Sequence, residues 1–480
     1  MDAFRSYFII FILFAAALFL RNWSLLVVVM LCSFAFWKYR LQLGKTRKQL
    51  MSEEEMEARI AAWEPLPLVP ETCDSNIREP QTIEGKITKY VNINGKECLN
   101  MISSDFYGLI GNERIEEAAK NTIFKYGVGS CGPRNFYGTV DVHLNLEKQL
   151  ADFLGCEEAI LYSYGFATIA SAIPAYSKKD DLIFVDKSVN FSIQKGLQAS
   201  KSKIIWFNHN DMDHLERLLE EQSLADSKNK KKTATIRKFI VVEGIYANTA
   251  DLCPLDKLVE FKWKYKVRIF VDESLSFGVL GENGKGRKNY KLGITEHFGI
   301  DAVDVDLISA SLENAIATTG GFCAGRSFVI GHQRLSGLGY CFSASLPPLL
   351  TVAASEAINI IQEKPNLSKI LRQKSIALHK LILTATEGLK FVVIGDEISP
   401  LKHIGFEHED KAVVEQVLND FVSELQTVGI LVSKAHYLSD QEAFSQKATV
   451  KVTCRVDVTD EEMKKIGENF RLVMKKLKRG

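Results

Sequence analysis

Closely spaced cysteine pairs are absent from this sequence. Its nine cysteines are scattered, odd in number and never form a CxxC motif. This distribution favours a reduced compartment over a disulfide framework or a zinc site, and we expect no metal centre. A strong charge of either sign is also missing. The formal net charge is +1, so no nucleic-acid-binding surface is indicated.

Other bulk features are ordinary for a globular protein. The chain has 480 residues, of which 46% are apolar and 25% are charged, and it contains no internal repeat. This length gives room for two or three domains.

Charged side chains are nearly absent from residues 7–37, where Arg21 and Asn22 interrupt an apolar run. Because about 20 apolar residues span a bilayer, we predict one tilted transmembrane helix. Two short re-entrant helices are the alternative, and a cleaved signal peptide is disfavoured because the apolar run is too long. The run is followed directly by the basic residues Lys38, Arg40, Lys45, Arg47 and Lys48. Positive charge on this side places the rest of the chain in the cytosol.

The pattern along the chain predicts four segments. They are a membrane segment with a basic cytosolic flank (1–50), an amphipathic helix with a proline-rich linker (51–80), a large α/β domain (81–360) and a small α+β domain (361–480). The pattern from Ser52 to Glu55 predicts a capping box at the N-terminus of the helix. Its apolar face could lie on the membrane or pack on the main domain, and it consists of Met56, Ile60 and Trp63. The lysine-rich tract 227–232 is interpreted as a solvated loop.

Short apolar runs alternate with helical patterns in the large domain. The predicted strands are 160–163, 182–186, 203–207, 239–243, 268–272 and 305–309. Near-continuous apolar strands separated by helices indicate a mostly parallel sheet covered on both faces. After Pro400 the pattern changes to a smaller α+β unit, which ends in a basic helix around 463–479.

Two stretches contain candidate ligand-binding or catalytic residues. The strand 268–272 ends in Asp272, at the sheet edge where α/β folds place ligands, and a glycine-rich continuation follows over 278–286. Residues 126–147 combine glycines, which permit close backbone approach, with aromatic and arginine side chains suited to an anionic ligand. His143 could be a catalytic base. The favoured interpretation is that it orients this loop and the following helix.

These stretches resemble the α-oxoamine synthases, which are fold-type I pyridoxal-phosphate enzymes, and most closely the serine palmitoyltransferases among them. The resemblance covers roughly residues 80–475 and includes 162–167, 209–211 and 342–348. It implies a large domain with a mostly parallel sheet and a small C-terminal α+β domain. It also implies that the loop 126–138 lies at a dimer interface beside the active site. Segment 342–348 is similar to one that crosses to the partner's cofactor phosphate.

The departures from that family fall in the cofactor pocket. Asn314 stands at the position of the Schiff-base lysine, and an amide cannot form an aldimine. Leu275 and Asn190 stand where histidines are expected, and Lys451 where an arginine for the substrate carboxylate is expected. Asp272, which pairs with the pyridinium nitrogen in the family, is retained. The sequence has no lysine between Lys291 and Lys364, and Lys285 and Lys288 belong to the preceding glycine loop.

The resemblance therefore implies a non-catalytic but required subunit of a heterodimeric enzyme that condenses L-serine with palmitoyl-CoA to 3-ketosphinganine. A lysine-bearing partner subunit would hold the pyridoxal phosphate, and this chain would bind none covalently. The residues expected to complete the partner's site in trans are Cys131, Arg134, Tyr137, Ser343 and Ser345.

The expected location is the endoplasmic reticulum membrane, with a single span and the large domain in the cytosol. Small membrane regulatory subunits and the bilayer are further expected partners, and nucleic acid is not. The alternatives are a membrane scaffold for regulatory subunits and an independently active acyl-CoA condensing enzyme.

Overall fold

The computed structural model of the protein describes residues 30–31, 34–38, 52–65, 67–68, 81–228, 235–281, 292–438 and 440–477. The chain divides into two compact units, Met1–Pro80 and Gln81–Gly480. Most of the predicted membrane segment, most of the lysine-rich tract and the glycine loop beyond Gly281 lie outside the described residues. Within the part that is described, no helix is both long enough and apolar enough to cross a bilayer.

The first unit contains helix α1 (Glu53–Ala61). The predicted capping box is confirmed, since the Glu55 amide donates to the Ser52 hydroxyl at 3.1 Å and the Ser52 amide donates to Glu55 Oε2 at 3.2 Å. No residue of α1 is buried, and Met56 and Ile60 on the helix are exposed, as is Trp63 just beyond its C-terminal end.

The strands and helices of the second unit alternate along most of its length. Its strands are β1 (Ile83–Glu84), β2 (Tyr90–Ile93), β3 (Lys96–Asn100), β4 (Glu158–Tyr162), β5 (Leu182–Asp186), β6 (Lys203–Phe207), β7 (Lys238–Glu243), β8 (Arg268–Asp272), β9 (Leu307–Ser311), β10 (Gly321–Gly325), β11 (Phe391–Ile394), β12 (Leu401–Phe406), β13 (Ile430–Leu431), β14 (Ser433–Lys434) and β15 (Val450–Thr453). Its helices are α2 (Glu113–Tyr126), α3 (Asp141–Leu154), α4 (Gly165–Tyr176), α5 (Phe191–Ser200), α6 (Met212–Lys228), α7 (Leu255–Tyr265), α8 (Ile294–Phe298), α9 (Ser327–Ser336), α10 (Leu338–Cys341), α11 (Pro348–Glu363), α12 (Asn366–Thr386), α13 (Lys411–Thr427) and α14 (Asp460–Leu477).

The central sheet has seven strands in the order β4-β10-β9-β8-β7-β5-β6. Strands β5 to β9 pair in parallel, while β10 runs antiparallel to both β4 and β9. The mostly parallel sheet predicted from the sequence is thus confirmed, and the six predicted strands correspond to β4 to β9. Every residue of β5, β9 and β10 is buried, as expected for strands covered on both faces.

Two smaller sheets involve the C-terminal part of the chain. One has the order β11-β12-β15-β14, and the other has the order β1-β2-β3-β13. In the second sheet Leu99 of β3 pairs in parallel with Ile430 of β13. The start of the second unit is therefore built into the same layer as its C-terminal part.

Candidate functional site

Three carboxylates lie side by side at the carboxyl edge of the central sheet. Asp186, Glu243 and Asp272 end the neighbouring strands β5, β7 and β8, and Glu243 is the register partner of Asp272. All three are buried. Burial raises the pKa of Asp272, and burial together with the charge of Asp272 raises the pKa of Glu243 to about 8. This edge is where parallel sheets bind ligands.

The Asp272 carboxylate is already hydrogen-bonded within the chain. Asn190 Nδ2 donates to Asp272 Oδ2 at 3.0 Å, while the amide and hydroxyl of Ser274 donate to Oδ1 at 3.0 and 2.5 Å. Asn190 is held in place as the N-cap of α5, because its Oδ1 accepts from the Ile193 amide at 3.0 Å. Both oxygens of this aspartate are therefore satisfied by neighbouring residues.

Asn314 lies in the loop between β9 and β10 and reaches the same cluster. Its Nδ2 donates to the Ser274 carbonyl at 2.6 Å. The loop is closed by a hydrogen bond of 2.9 Å from the Leu312 amide to the Gly320 carbonyl. The structure thus brings Asn190, Asp272 and Asn314 together around Ser274. Leu275 is partly buried and packs against the main hydrophobic core.

Glu313 is a further member of this region that sequence reasoning missed. Its Oε1 accepts from the amide of Gly165, the first residue of α4, at 3.4 Å. A helix N-terminus attracts negative charge, and here the chain supplies a carboxylate. The sequence feature that could have identified Glu313 is its position, as an acidic residue directly before Asn314.

The loop 126–138 and the segment 342–348, predicted separately, form one surface. Pro133 and Ala344 make an antiparallel bridge, and the Ser345 amide donates to the Gly132 carbonyl at 3.0 Å. Ser345 Oγ also donates to the Gly138 carbonyl at 2.5 Å. We call these two segments the paired-loop surface.

Two residues of this surface have left-handed backbone and point outward. Cys131 has φ 58° and is exposed, and Tyr137 has φ 65° and is fully exposed. A non-glycine residue in this region is strained, and such strain concentrates at functional sites. Phe342 is exposed as well, and Ser343 is half-buried.

Arg134 and Ser345 point into their own chain. Arg134 Nη1 lies 2.7 Å from Glu147 Oε1, its Nε donates to Thr139 Oγ1 at 2.9 Å, and its guanidinium lies over the Tyr340 ring. Both Arg134 and Glu147 are buried. This arrangement favours a role for Arg134 in holding the loop over direct contact with a ligand.

His143 has the orienting role predicted for it. Its Nδ1 accepts from the Val140 amide at 3.1 Å, and its Nε2 donates to the Leu346 carbonyl at 2.6 Å. The ring is buried, and burial lowers its pKa. A neutral His143 therefore ties the start of α3 to the segment 342–348.

Lys451 lies on β15 beside β14 and β12, near enough to the carboxylate cluster for its charge to interact with Glu243. It lines a cavity of about 310 Å³ together with Phe191, the first residue of α5. Burial lowers the pKa of Lys451, and the charge of Glu243 opposes that shift.

Comparison with known proteins places these features in a family context. Residues 96–470 match the family Aminotransferase class I and II. The chain is 44% identical to "Long chain base biosynthesis protein 1c" of Oryza sativa subsp. japonica, over 70% of this chain and 67% of that protein. It is 38% identical to "Serine palmitoyltransferase 1" of Dictyostelium discoideum, over 86% of each chain.

Solved structures show the same fold. A serine palmitoyltransferase of Sphingomonas wittichii superposes with a TM-score of 0.72 at 23% identity, covering 88% of this chain and 96% of that one. An 8-amino-7-oxononanoate synthase from Francisella tularensis superposes with a TM-score of 0.61 at 21% identity, covering 78% and 98%. These likenesses establish the pyridoxal-phosphate fold-type I architecture.

Proposed function

The chain belongs to the class I and II aminotransferase family and, within it, to the group of serine palmitoyltransferase 1 and long chain base biosynthesis 1 proteins. From this premise we propose that it is the non-catalytic, required subunit of a heterodimeric serine palmitoyltransferase. The lysine-bearing partner holds the pyridoxal phosphate and condenses L-serine with palmitoyl-CoA. This chain stabilises the partner and completes its active site in trans.

The observation that carries the proposal is the cluster around Ser274. The Asn314 amide is not a nucleophilic amine, and it is engaged with the Ser274 carbonyl at 2.6 Å. Both Asp272 oxygens already accept within the chain, Oδ2 from Asn190 at 3.0 Å and Oδ1 from Ser274. These residues do not fit a covalently held pyridoxal phosphate, so we assign no chemical step to the pocket of this chain.

Absorbance spectroscopy tests the non-catalytic assignment. The full-length chain, the partner and their complex are each purified and mixed with pyridoxal phosphate. The complex and the partner are expected to show the absorbance of a lysine Schiff base that borohydride reduction fixes to the protein, and this chain alone is expected to show neither. A reducible Schiff base on this chain alone, or turnover of L-serine and palmitoyl-CoA by it, would instead make it an independent condensing enzyme.

Contribution in trans is supported by the paired-loop surface. It exposes Tyr137 and Phe342, with Phe136 and Val128 beside them. Aromatic side chains of this kind are enriched at protein interfaces, and an exposed apolar group of this size marks an interaction site. In this family the active sites lie at the dimer interface. The exposed side chains of the paired-loop surface are therefore suited to contact the active-site pocket of the partner.

Membrane attachment belongs to the same proposal. The apolar run 7–37 and the basic residues that follow it support a single span in the endoplasmic reticulum membrane with the α/β domain in the cytosol. Small membrane subunits are the proposed regulatory partners. If substitutions on the paired-loop surface left turnover of the complex unchanged while loss of residues 1–50 abolished partner binding, the chain would be a scaffold instead.

A further inference from the structure

Two helices begin at the cluster around Ser274, and side chains of this chain engage N-terminal amides of both. Helix α5 begins after Asn190, whose Oδ1 accepts from the Ile193 amide at 3.0 Å. Helix α4 begins at Gly165, whose amide donates to Glu313 Oε1 at 3.4 Å. A helix N-terminus is a common site for a phosphate group, because its free amides and the helix dipole attract negative charge. At both helices the chain itself supplies an acceptor.

Glu313 is connected to the cluster by a series of hydrogen bonds. Its amide donates to Ser311 Oγ at 3.0 Å, and the Ser311 amide donates to Ser274 Oγ at 3.0 Å. Ser274 Oγ in turn donates to Asp272 Oδ1 at 2.5 Å. These contacts hold the backbone of Glu313 close to Asp272, the residue that pairs with the cofactor ring in the family.

The loop that carries Glu313 lies directly against the start of α4. A Cβ atom added at Gly165 would lie 2.4 Å from Ser311 Oγ and 3.4 Å from Glu313 Oε1. Within the described chain, Tyr164 at the N-cap position of α4 makes no side-chain capping hydrogen bond. The Glu313 carboxylate therefore provides the acceptor and the negative charge that the N-cap residue does not.

We propose that Glu313 takes the place of a cofactor phosphate at the start of α4 and so excludes phosphate esters from the pocket of this chain. A carboxylate at a helix N-terminus complements the dipole, and it repels a second anion at the same position. Asn314 prevents covalent attachment of pyridoxal phosphate, whereas Glu313 opposes its noncovalent binding. The inference rests on the proposed function and extends it, because loss of the lysine alone would leave a pocket that still accepts the phosphate.

Calorimetric titration of the full-length chain, purified without its partner, tests the proposal. The probe is pyridoxine phosphate, which has an alcohol in place of the aldehyde and cannot form a Schiff base with surface lysines, and pyridoxine is the matched probe without phosphate. The wild-type chain is expected to bind pyridoxine phosphate no more tightly than pyridoxine. Glu313→Gln is expected to bind pyridoxine phosphate at least about tenfold more tightly than the wild-type chain does, with its affinity for pyridoxine unchanged.

Three further variants separate the effect of charge from that of side-chain size. Glu313→Ala is expected to gain affinity for pyridoxine phosphate as Glu313→Gln does, while Glu313→Asp keeps the charge and is expected to behave like the wild-type chain. Glu113→Gln is the matched control, because Glu113 is an exposed glutamate in the first turn of α2, and it is expected to change nothing. Glu313 is itself exposed, so its replacement is compatible with folding. Far-UV circular dichroism and the melting temperature check each variant, and Glu313→Ala carries the comparison if Glu313→Gln fails to fold.

Three results would overturn the proposal. They are tighter binding of pyridoxine phosphate than of pyridoxine by the wild-type chain, no gain of affinity for pyridoxine phosphate in the folded Glu313→Gln and Glu313→Ala variants, and an equal gain in Glu313→Asp or Glu113→Gln. None of them produces a reducible Schiff base on this chain or turnover by it, which are the results that contradict the proposed function. Failure of this inference is therefore distinguishable from failure of the proposed function.

Discussion

Asn190 donates its side-chain amide to the buried carboxylate of Asp272 at 3.0 Å while its own oxygen caps helix α5. One residue thus satisfies a buried charge and fixes the start of a helix. The other oxygen of Asp272 accepts from the amide and hydroxyl of Ser274, so neighbouring side chains engage both ends of the carboxylate.

Asn190→Ala is expected to destabilise the chain by roughly 2–4 kcal/mol, because it removes both a helix cap and a donor to a buried carboxylate. Urea unfolding of the purified chain measures the change. Asn112→Ala is the matched control, since Asn112 caps α2 through the amides of Arg114 and Ile115 without a carboxylate partner. Equal losses in the two variants would mean that the Asp272 contact adds nothing.

Arg134→Ala is expected to destabilise by roughly 3–5 kcal/mol, because it leaves the buried Glu147 carboxylate without its cation. Arg134→Lys is expected to restore only part of this, since lysine cannot make the forked contacts to Glu147 and Thr139. Arg114→Ala breaks far more exposed ion pairs, with Glu363 and Glu356, and is expected to destabilise the chain much less. Chemical unfolding compares the three, and a tolerated Arg134→Ala would refute the buried-pair argument.

Gly138→Ala is expected to disrupt the paired-loop surface, because the added Cβ would lie 1.9 Å from the Gly132 carbonyl oxygen. The backbone must move, which overpacked sites resist at about 1–3 kcal/mol or more. Gly129→Ala, in the same loop, meets nothing within 4 Å and is expected to be tolerated. Turnover of the complex should fall only for Gly138→Ala, and equal turnover in both variants would contradict the role of this surface.

Tyr137→Gly tests the contact with the partner without lowering the stability of the isolated chain. Glycine accepts the φ of 65° without strain, so the isolated chain is expected to lose no stability. Since the exposed ring is removed, affinity for the partner or turnover of the complex is expected to fall by about tenfold or more. Tyr137→Phe keeps the ring and serves as the control. Full activity of the glycine variant would remove Tyr137 from the proposed interface.

His209 makes stability depend on pH. Burial alone would lower its pKa, but hydrogen bonds to Asp186 and Asp251 raise it to about 9. Because the unfolded histidine titrates near 6.5, the folded form holds the extra proton between these values, and its contribution to stability is lost as pH rises from about 6.5 through 9. Unfolding free energies of the wild-type chain and His209→Gln across this window should converge at the alkaline end. Parallel curves would contradict the assignment.

The sequence predicted the central sheet well because β4 to β9 are continuous apolar runs that read as buried strands. Strand β10 was missed because Gly321-Phe-Cys-Ala-Gly325 has little β-branched content, and its place between β4 and β9 is set by tertiary pairing. The pairing of β3 with β13 was likewise not predictable, since short strands distant in sequence carry no signal of their partner.

The sequence predicted where individual site residues lie better than it predicted which way their side chains point. The resemblance to the family predicted that Asn190, Asp272 and Asn314 lie in one pocket. In the structure the three residues lie around Ser274. Arg134 looked suited to an external anion, yet its actual partner Glu147 lies on the next helix and turns the side chain inward. A residue type and a loop do not fix which way a long side chain points.

The parallel pairing of Leu99 with Ile430 also constrains how the protein is made. During synthesis from the N-terminus, β3 emerges long before β13 and must remain without that neighbour until the C-terminal part has left the ribosome. Long-range pairing of this kind is slow and exposes strand edges to aggregation in the meantime. A fragment that ends before residue 430 would leave this edge open permanently, so we expect nascent or truncated chains to depend on chaperones until β13 is released.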